Sequence, residues 1–200
     1  MTRVLSSRKL QRWSASAVEF EAQECGGGGD CLFHVLAAAL NNLFGMHTTM
    51  QDLRDALARS ITTENVRRFV RQVREDQKLK MLPGTIDIRR VLRPTWCETM
   101  ERTRVLVRRP GVSFQGTDMV LHWLGKYDQL FHEFKIGFVC FNGYGPGYVQ
   151  RFGGVSTDIY ILLYNHFDTH WQLASLSLHP FHSAISRAEC DKLFRDLSVS

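Results

Sequence analysis

The sequence has no apolar stretch long enough to cross a membrane. A spanning helix needs roughly 18–20 apolar residues in a row, and no run in the chain reaches that length. The segment 1–9 carries charges without an apolar segment behind them, so we expect no secretory signal. Internal repeats and long linkers are also missing. The 200 residues therefore predict a single domain, with a core at about 17–178, an N-terminal arm at 1–16 and a C-terminal helix at 183–197.

Cysteine is scarce and irregularly spaced. The five cysteines are an odd number without a C-x-x-C pair, and they are Cys25, Cys31, Cys97, Cys140 and Cys190. The histidines at 179 and 182 also lack the spacing and the company of a metal site. This pattern argues against a disulfide framework or a zinc finger and favours a reducing compartment. We expect a cytoplasmic protein without a bound metal or other cofactor.

Positive charge is concentrated in one region of the chain. The net charge is only +5, but 54–109 is rich in arginine and lysine. A basic region of this kind can bind nucleic acid. Acidic residues are interleaved with it, however, and no aromatic stacking pattern accompanies it. We therefore interpret it as the solvated side of helices and do not expect nucleic acid as the main partner.

Four consecutive glycines lead into one of the cysteines. Gly26–Gly29 and Asp30 precede Cys31, which opens an apolar run typical of a buried helix. The first turn of a helix has free backbone N–H groups and the positive end of the helix dipole, so we expect a lowered pKa for this thiol. Backbone N–H groups around Gly28, Gly29 and Asp30 are candidates for an oxyanion hole. A buried structural cysteine after a flexible loop fits the same residues.

Alternating and apolar segments predict a mixed α/β (α+β) fold. Strands are predicted at 17–22, 135–141, 158–164 and 170–176. Helices are predicted from 31 to about 42–45, from 49 to about 60, after 63, after 116, and from 183 or 186 onward. Residues 1–16 fit an amphipathic helix or a loosely held arm, and 85–110 give no clear pattern. We expect a small central sheet packed between helices.

Two of the eight histidines stand where one predicted strand turns back into the next. A cysteine nucleophile needs a base, usually a histidine that the fold brings close. His170 opens the return strand, and Trp171 beside it can shield the ring. His166 falls inside the connecting turn, where its position is less constrained. We expect a structural role for His34, which lies one turn after the cysteine on the buried helix.

Both halves of this arrangement resemble one protease family. The segment 28–34 is similar to the nucleophile motif of the ovarian-tumour (OTU) cysteine proteases, and 159–174 is similar to that family's C-terminal histidine motif. The resemblance covers about 20–176. It implies a papain-like OTU fold and a deubiquitinase that cleaves after the C-terminal Gly-Gly of ubiquitin, using Cys31 and His170. The compact size and the sequence at 169–171 resemble viral members most, which implies the host cytosol as the place of action.

The resemblance also implies partners and the surfaces that meet them. The partner would be ubiquitin, polyubiquitin or another ubiquitin-like modifier, and the protein would act as a monomer, without a membrane. Trp171 and the loop at 142–147 are expected to wall the narrow channel for the glycines of the substrate. The helices between 31 and 85 are expected to hold the body of ubiquitin.

Two positions depart from the pattern of the family. Gly28 stands where an aspartate is frequent, and Gln172 stands where the family often has the acid that orients the histidine. Gln172 lies on the same strand face as His170, so its amide oxygen could accept the ring N–H. Asp168 in the turn is a second candidate. The pair of His166 and Asp168 is kept as an alternative base and acid.

Three other functions fit part of the sequence. A papain-like protease that processes a viral polyprotein would share the cysteine and the histidine. A catalytically weak OTU-like module that only binds ubiquitin is supported by Gly28 and Gln172. A nucleic-acid binder would use the basic region at 54–109, with binding that depends steeply on salt.

Overall fold

The computed structural model describes residues 10–15, 18–65, 104–105, 107–111, 117–142, 149–166, 170–176 and 183–199. The strands are β1 (Leu10–Ala15), β2 (Val18–Gln23), β3 (Ile136–Asn142), β4 (Val149–Phe152), β5 (Ile159–His166), β6 (His170–Leu176) and β7 (Ala184–Ser186). The described helices include α1 (Cys31–Phe44), α2 (Met50–Ser60), α3 (Thr117–Tyr127), α4 (Gln129–Glu133) and α5 (Arg187–Val199). A short 3-10 turn, Gly28–Asp30, leads into α1.

The described strands form one seven-stranded sheet with the order β1-β2-β6-β5-β3-β4. β7 pairs with the first residues of β5, whose last residues pair with β6. β3 and β5 run parallel, and the other pairs are antiparallel. The pairing of β2 with β6 brings an early segment of the chain beside a late one. We call this strand pair the seam, and the candidate site lies at it.

Helices cover both faces of the sheet. Because side chains alternate along a strand, successive residues of β6 enter different cores. Trp171 and Leu173 belong to a cluster that includes α1, whereas Ala174 packs in a second cluster with Cys190 and Leu193 of α5. The predicted α/β class, with a central sheet between helices, is confirmed.

Local sequence signals set the ends of three helices as predicted. α1 ends at Gly45, which has a left-handed conformation (φ 63°) and whose N–H donates to the Asn41 carbonyl. α2 begins with a capping box, in which the Thr49 hydroxyl and the Asp52 carboxylate each accept a backbone N–H from the other residue. α5 follows Ser186, whose N–H and hydroxyl both donate to the carboxylate of Glu189.

Three segments differ from the prediction. Leu10–Ala15 forms β1, not a helix or a loose arm, and it pairs with β2 along its whole length. Val149–Phe152 forms β4 where no strand is predicted, and β5 continues to His166, into the predicted turn. In each case pairing with a neighbouring strand favours the extended backbone, and this pairing leaves no clear local pattern in the sequence.

Several predictions fall on other parts of the chain. The body of the helix after 65, the turn at 83–84, and most of 85–110 and of the basic region lie outside the described residues. Within the described ranges, no helix combines the length and the apolar content that a membrane span requires.

Candidate active site

The candidate nucleophile is the first residue of α1. Cys31 is buried, with 7% of its surface exposed. The 3-10 turn before it includes Gly28 at φ 72°, a conformation that favours glycine. Gly26 passes so close to His34 that a Cβ at this glycine would lie 2.8 Å from carbons of the imidazole ring. His34 therefore packs against the glycine loop.

Burial raises the pKa of the Cys31 thiol above its ordinary value. Backbone hydrogen bonds from Trp171, Leu32 and Cys31 itself oppose this effect by stabilising the thiolate, and the negative charge of Glu24 adds to the increase in pKa. The expectation of a lowered pKa was therefore wrong. The N–H groups of the helix start are present as expected, but the loss of hydration outweighs them. This thiol needs a base to remove its proton.

The first residues of β6 lie at the thiol. The backbone of Trp171 is hydrogen-bonded to Cys31, and the residue before Trp171 is His170. The Trp171 ring is 2% exposed and packs in the core cluster with α1, so it does not line an open channel as predicted. The backbone of this residue, not its ring, is what meets the nucleophile. The other predicted channel wall is the loop at 142–147, and all of it after Asn142 lies outside the described residues.

The imidazole of His170 is held by a residue that the sequence analysis missed. His170 Nε2 lies 2.6 Å from Glu24 Oε1 and 2.7 Å from Glu24 Oε2. Glu24 directly follows β2, whose last residue, Gln23, pairs with Leu173. The acid therefore stands across the seam from β6. Its charge also acts on Cys31, so the carboxylate that binds the imidazole also influences the thiol.

Gln172 supports this acid and does not take its place. Its side-chain Nε2 donates to Glu24 Oε2 at 3.1 Å. The amide is thus a donor to the carboxylate, and the acceptor for the His170 ring is Glu24. Glu24 lies 146 residues from His170 in sequence, so a motif around the histidine cannot reveal it. The signal available was the unusual Gln172, which implied that an acid comes from elsewhere.

The alternative base occupies the neighbouring strand. His166 pairs with His170 in the register of β5 and β6. Its Nδ1 lies 3.1 Å from the hydroxyl of Tyr164, on its own strand. Asp168, its predicted partner, lies outside the described residues. The described contacts link the thiol and Glu24 to β6.

The predicted oxyanion residues form the turn in front of the thiol. Gly28, Gly29 and Asp30 make up the 3-10 turn that leads into α1. The carboxylate of Asp30 is buried and paired with Arg54 of α2, whose side chain is fully buried. Arg54 is the first residue of the basic region, so this member of the region is a core residue and not part of a solvated face. The described residues contain no group of three His, Cys, Asp or Glu side chains that could hold a metal ion.

Comparison with known proteins gives a match at the level of structure. No family model matches the sequence, and no curated protein sequence matches it. Among solved structures, the chain is similar to an OTU deubiquitinase from Wolbachia pipientis wMel, with a TM-score of 0.50 and 12% sequence identity. The similarity covers 87% of this chain and 96% of that chain. At this identity the comparison shows the fold: the chain has an OTU-like arrangement of a sheet between helices.

Proposed function

We propose that the protein is a thiol-dependent deubiquitinase that hydrolyses the peptide or isopeptide bond after the C-terminal Gly-Gly of ubiquitin or a ubiquitin-like modifier. Cys31 would be the nucleophile and His170 the base. The observation that carries the proposal is the junction of β6 with the start of α1, where the Trp171 backbone contacts the thiol and the adjacent imidazole is bound by an acid. The OTU-like fold supports the same class of enzyme.

The first chemical step follows from the contacts of the imidazole. With Glu24 accepting the Nε2–H, the neutral ring carries its lone pair on Nδ1. This nitrogen takes the proton of Cys31, and the resulting thiolate attacks the carbonyl carbon of the terminal glycine. The raised pKa of the thiol makes this base necessary at neutral pH. Glu24 stabilises the imidazolium that forms.

The second half of the reaction releases the two products. Backbone N–H groups of the turn at Gly28, Gly29 and Asp30 stabilise the oxyanion of the tetrahedral intermediate. The imidazolium then gives its proton to the departing amine as the C–N bond breaks. Water, activated by the same histidine, hydrolyses the remaining thioester and regenerates the thiol.

The experiment that tests this proposal is covalent labelling with ubiquitin that carries a C-terminal electrophile. The folded protein should form an adduct, and Cys31→Ala should form none while its thermal unfolding remains cooperative. Cleavage of ubiquitin chains by the Cys31→Ala protein would exclude Cys31 as the nucleophile. Loss of turnover in His166→Ala but not in His170→Ala would assign the base to the other histidine.

The same labelling experiment separates the other candidate functions. A polyprotein-processing protease would be alkylated at Cys31 by a small thiol reagent but would not react with the ubiquitin probe. A binding module would retain ubiquitin without a covalent bond. We propose a monomer acting in the cytosol, in the host cytosol if the protein is viral. The resemblance to viral members depends on the compact size and the sequence at 169–171, and the similar solved structure does not add to it.

A further inference from the structure

A buried arginine ties the glycine turn to the rest of the domain. Arg54 of α2 is 0% exposed, and its guanidinium lies over the Phe33 ring at 4.4 Å. Its Nε donates to Asp30 Oδ1 at 2.7 Å, and Nη2 also donates to that oxygen. A second set of donor contacts reaches two backbone carbonyls, with Nη2 at 3.2 Å from Gly29 O and Nη1 at 2.8 Å from Val107 O. A single side chain thus bridges three segments.

The carboxylate of Asp30 completes this cluster. Its Oδ1 is bound by Arg54, and its Oδ2 accepts the backbone N–H of Gly111 at 2.8 Å. Asp30 immediately precedes Cys31 and is 9% exposed. Both oxygens are therefore engaged away from the thiol, so the Asp30 side chain is not available as an acid for His170. The residue before the nucleophile serves as an anchor for the turn.

The contact with Gly29 O has a geometric consequence for the neighbouring amide. In a trans peptide the C=O of one residue and the N–H of the next lie in one plane and point in opposite directions. Because Arg54 holds the Gly29 carbonyl, it directs the Asp30 N–H away from the guanidinium. That amide belongs to the turn which the proposed mechanism uses to bind the oxyanion. Its direction is then set by a side chain on another helix.

We propose that Arg54 is a positioning residue for the oxyanion hole, acting through the Gly29–Asp30 peptide. This inference rests on the proposed function and adds a specific determinant to it. An oxyanion donor is effective only where it is aimed at the developing charge before the reaction begins. The rigid fork of an arginine can bind one carboxylate and two carbonyls at once, whereas the ammonium of a lysine is a compact point charge. Arg54→Lys should keep the positive charge but no longer fix the orientation of the Gly29–Asp30 peptide.

The test compares acylation with alkylation of the same thiol in Arg54→Lys. Acylation by 4-nitrophenyl acetate passes through an oxyanion: the Sγ–C bond forms, nitrophenolate leaves, and the thiol proton goes to the base. Alkylation by iodoacetamide forms an Sγ–C bond with loss of iodide and makes no oxyanion. We expect acylation to slow by about tenfold or more, with alkylation within about twofold of the unmodified protein.

A matched control is available on the same helix. Arg59 of α2 is exposed. Neither small reagent needs the surface expected to hold ubiquitin, so Arg59→Met should leave both of these rates unchanged. A melting curve for each protein reports folding, and the number of thiols alkylated gives the folded fraction to which each rate is normalised. Arg54→Met, an apolar replacement of similar length, serves as a second variant, with the same expected split between the two rates.

The outcomes are decisive for this inference independently of ubiquitin. Equal losses of acylation and alkylation in folded Arg54→Lys would mean that Arg54 supports the thiol or the fold, and the inference would be wrong. Unchanged acylation, or no acylation of the unmodified protein, would also overturn it. Ubiquitin cleavage measured in parallel tests the proposed function. If acylation slows and alkylation does not, but the unmodified protein fails to cleave ubiquitin, the substrate class would be rejected and the role of Arg54 would stand.

Discussion

At the scale of single residues, the site depends on an acid that comes from the other side of a strand pair. Glu24 contacts the His170 ring with both carboxylate oxygens, and Gln172 donates to the same carboxylate. A carboxylate in this position orients the imidazole and stabilises its charged form during proton transfer. The residue at the usual place of the acid has become a supporting donor.

Replacing this acid by its amide tests the arrangement. Glu24→Gln keeps the length of the side chain but removes the charge that stabilises the imidazolium. We expect kcat for ubiquitin cleavage to fall by about a hundredfold, with a much smaller change in KM. Steady-state kinetics on a ubiquitin substrate with a fluorescent leaving group measure both quantities.

The control for this change lies on β2, the strand that Glu24 directly follows. Glu19 of β2 is exposed, and Glu19→Gln should leave kcat unchanged. A normal kcat in Glu24→Gln would show that the contact with His170 is only structural. Equal losses in the two variants would point to net charge and not to the contact.

The two residues proposed to react carry local signals in the sequence, but their supports do not. Cys31 follows a glycine run and opens an apolar helix, and His170 opens a strand, so both carry local signals. Glu24 and Arg54 act through partners that are distant in sequence, and their roles depend on which strands and helices become neighbours. The direction of the thiol pKa was also missed, because burial is a property of the packed fold.

At the scale of elements, strand β3, which lies next to the edge strand β4, depends on a glycine that its apolar pattern conceals. A Cβ at Gly137 would lie 2.5 Å from the carbonyl oxygen of Phe152 and 2.8 Å from Thr157 Cγ2. Phe152 belongs to β4, and Thr157 is in the connection to β5. The short edge strand therefore approaches β3 closely only because residue 137 has no side chain.

An alanine at this position should separate the two strands. We expect Gly137→Ala to lower the free energy of unfolding by about 1–3 kcal/mol, as for other overpacked cores. Chemical denaturation followed by circular dichroism measures this value. Gly154→Ala is the matched control, because the nearest contact of its Cβ is Ser156 Oγ at 4.0 Å. Equal stability of the two variants would contradict the close approach of β4.

Helices and strands were predicted correctly where the signal is local, and were missed where the pairing of strands determines the structure. The capping box at Thr49 and the left-handed Gly45 gave correct ends for α1 and α2. The strands β1 and β4 lie at the two ends of the sheet order. Each is stabilised by one neighbouring strand, and six or four residues are too few to display a period that separates strand from helix.

At the scale of the whole molecule, stability should depend on pH through a buried carboxyl group. Asp128 accepts the N–H groups of Leu130 and Phe131 at the start of α4. It also lies at a cavity of about 760 Å³ between the helices. Burial raises the pKa of Asp128 above its ordinary value of 3.8, although the two hydrogen bonds oppose this. The folded protein thus holds this proton more tightly than the unfolded chain does.

The sign of the effect follows from proton binding. A group with a raised pKa in the folded state favours folding at low pH, and this contribution is lost as the pH rises from 3.8 through the folded value. Asp128→Asn removes the ionisation and can still cap the helix. We expect it to melt at a higher temperature than the unmodified protein at neutral pH, with the difference vanishing below the unfolded pKa.

A second carboxylate, that of Asp52, should change stability with pH in the opposite direction and serves as the control. Hydrogen bonds from the Thr49 side chain and backbone lower the pKa of Asp52, so its charged form favours the folded state at neutral pH. Asp52→Asn should therefore reduce the melting temperature at neutral pH and have less effect in acid. Melting curves between acid and neutral pH, recorded by calorimetry, check both variants. A lower neutral melting temperature for Asp128→Asn would contradict the argument.

The seam between β2 and β6 also bears on how such an enzyme is made. The carboxylate and the imidazole that meet there are 146 residues apart, and contacts of such long range form slowly. A ribosome therefore exposes the thiol long before it releases the histidine. On the proposed mechanism, the nascent polypeptide carries an inert sulfur during that interval, until the late hairpin docks.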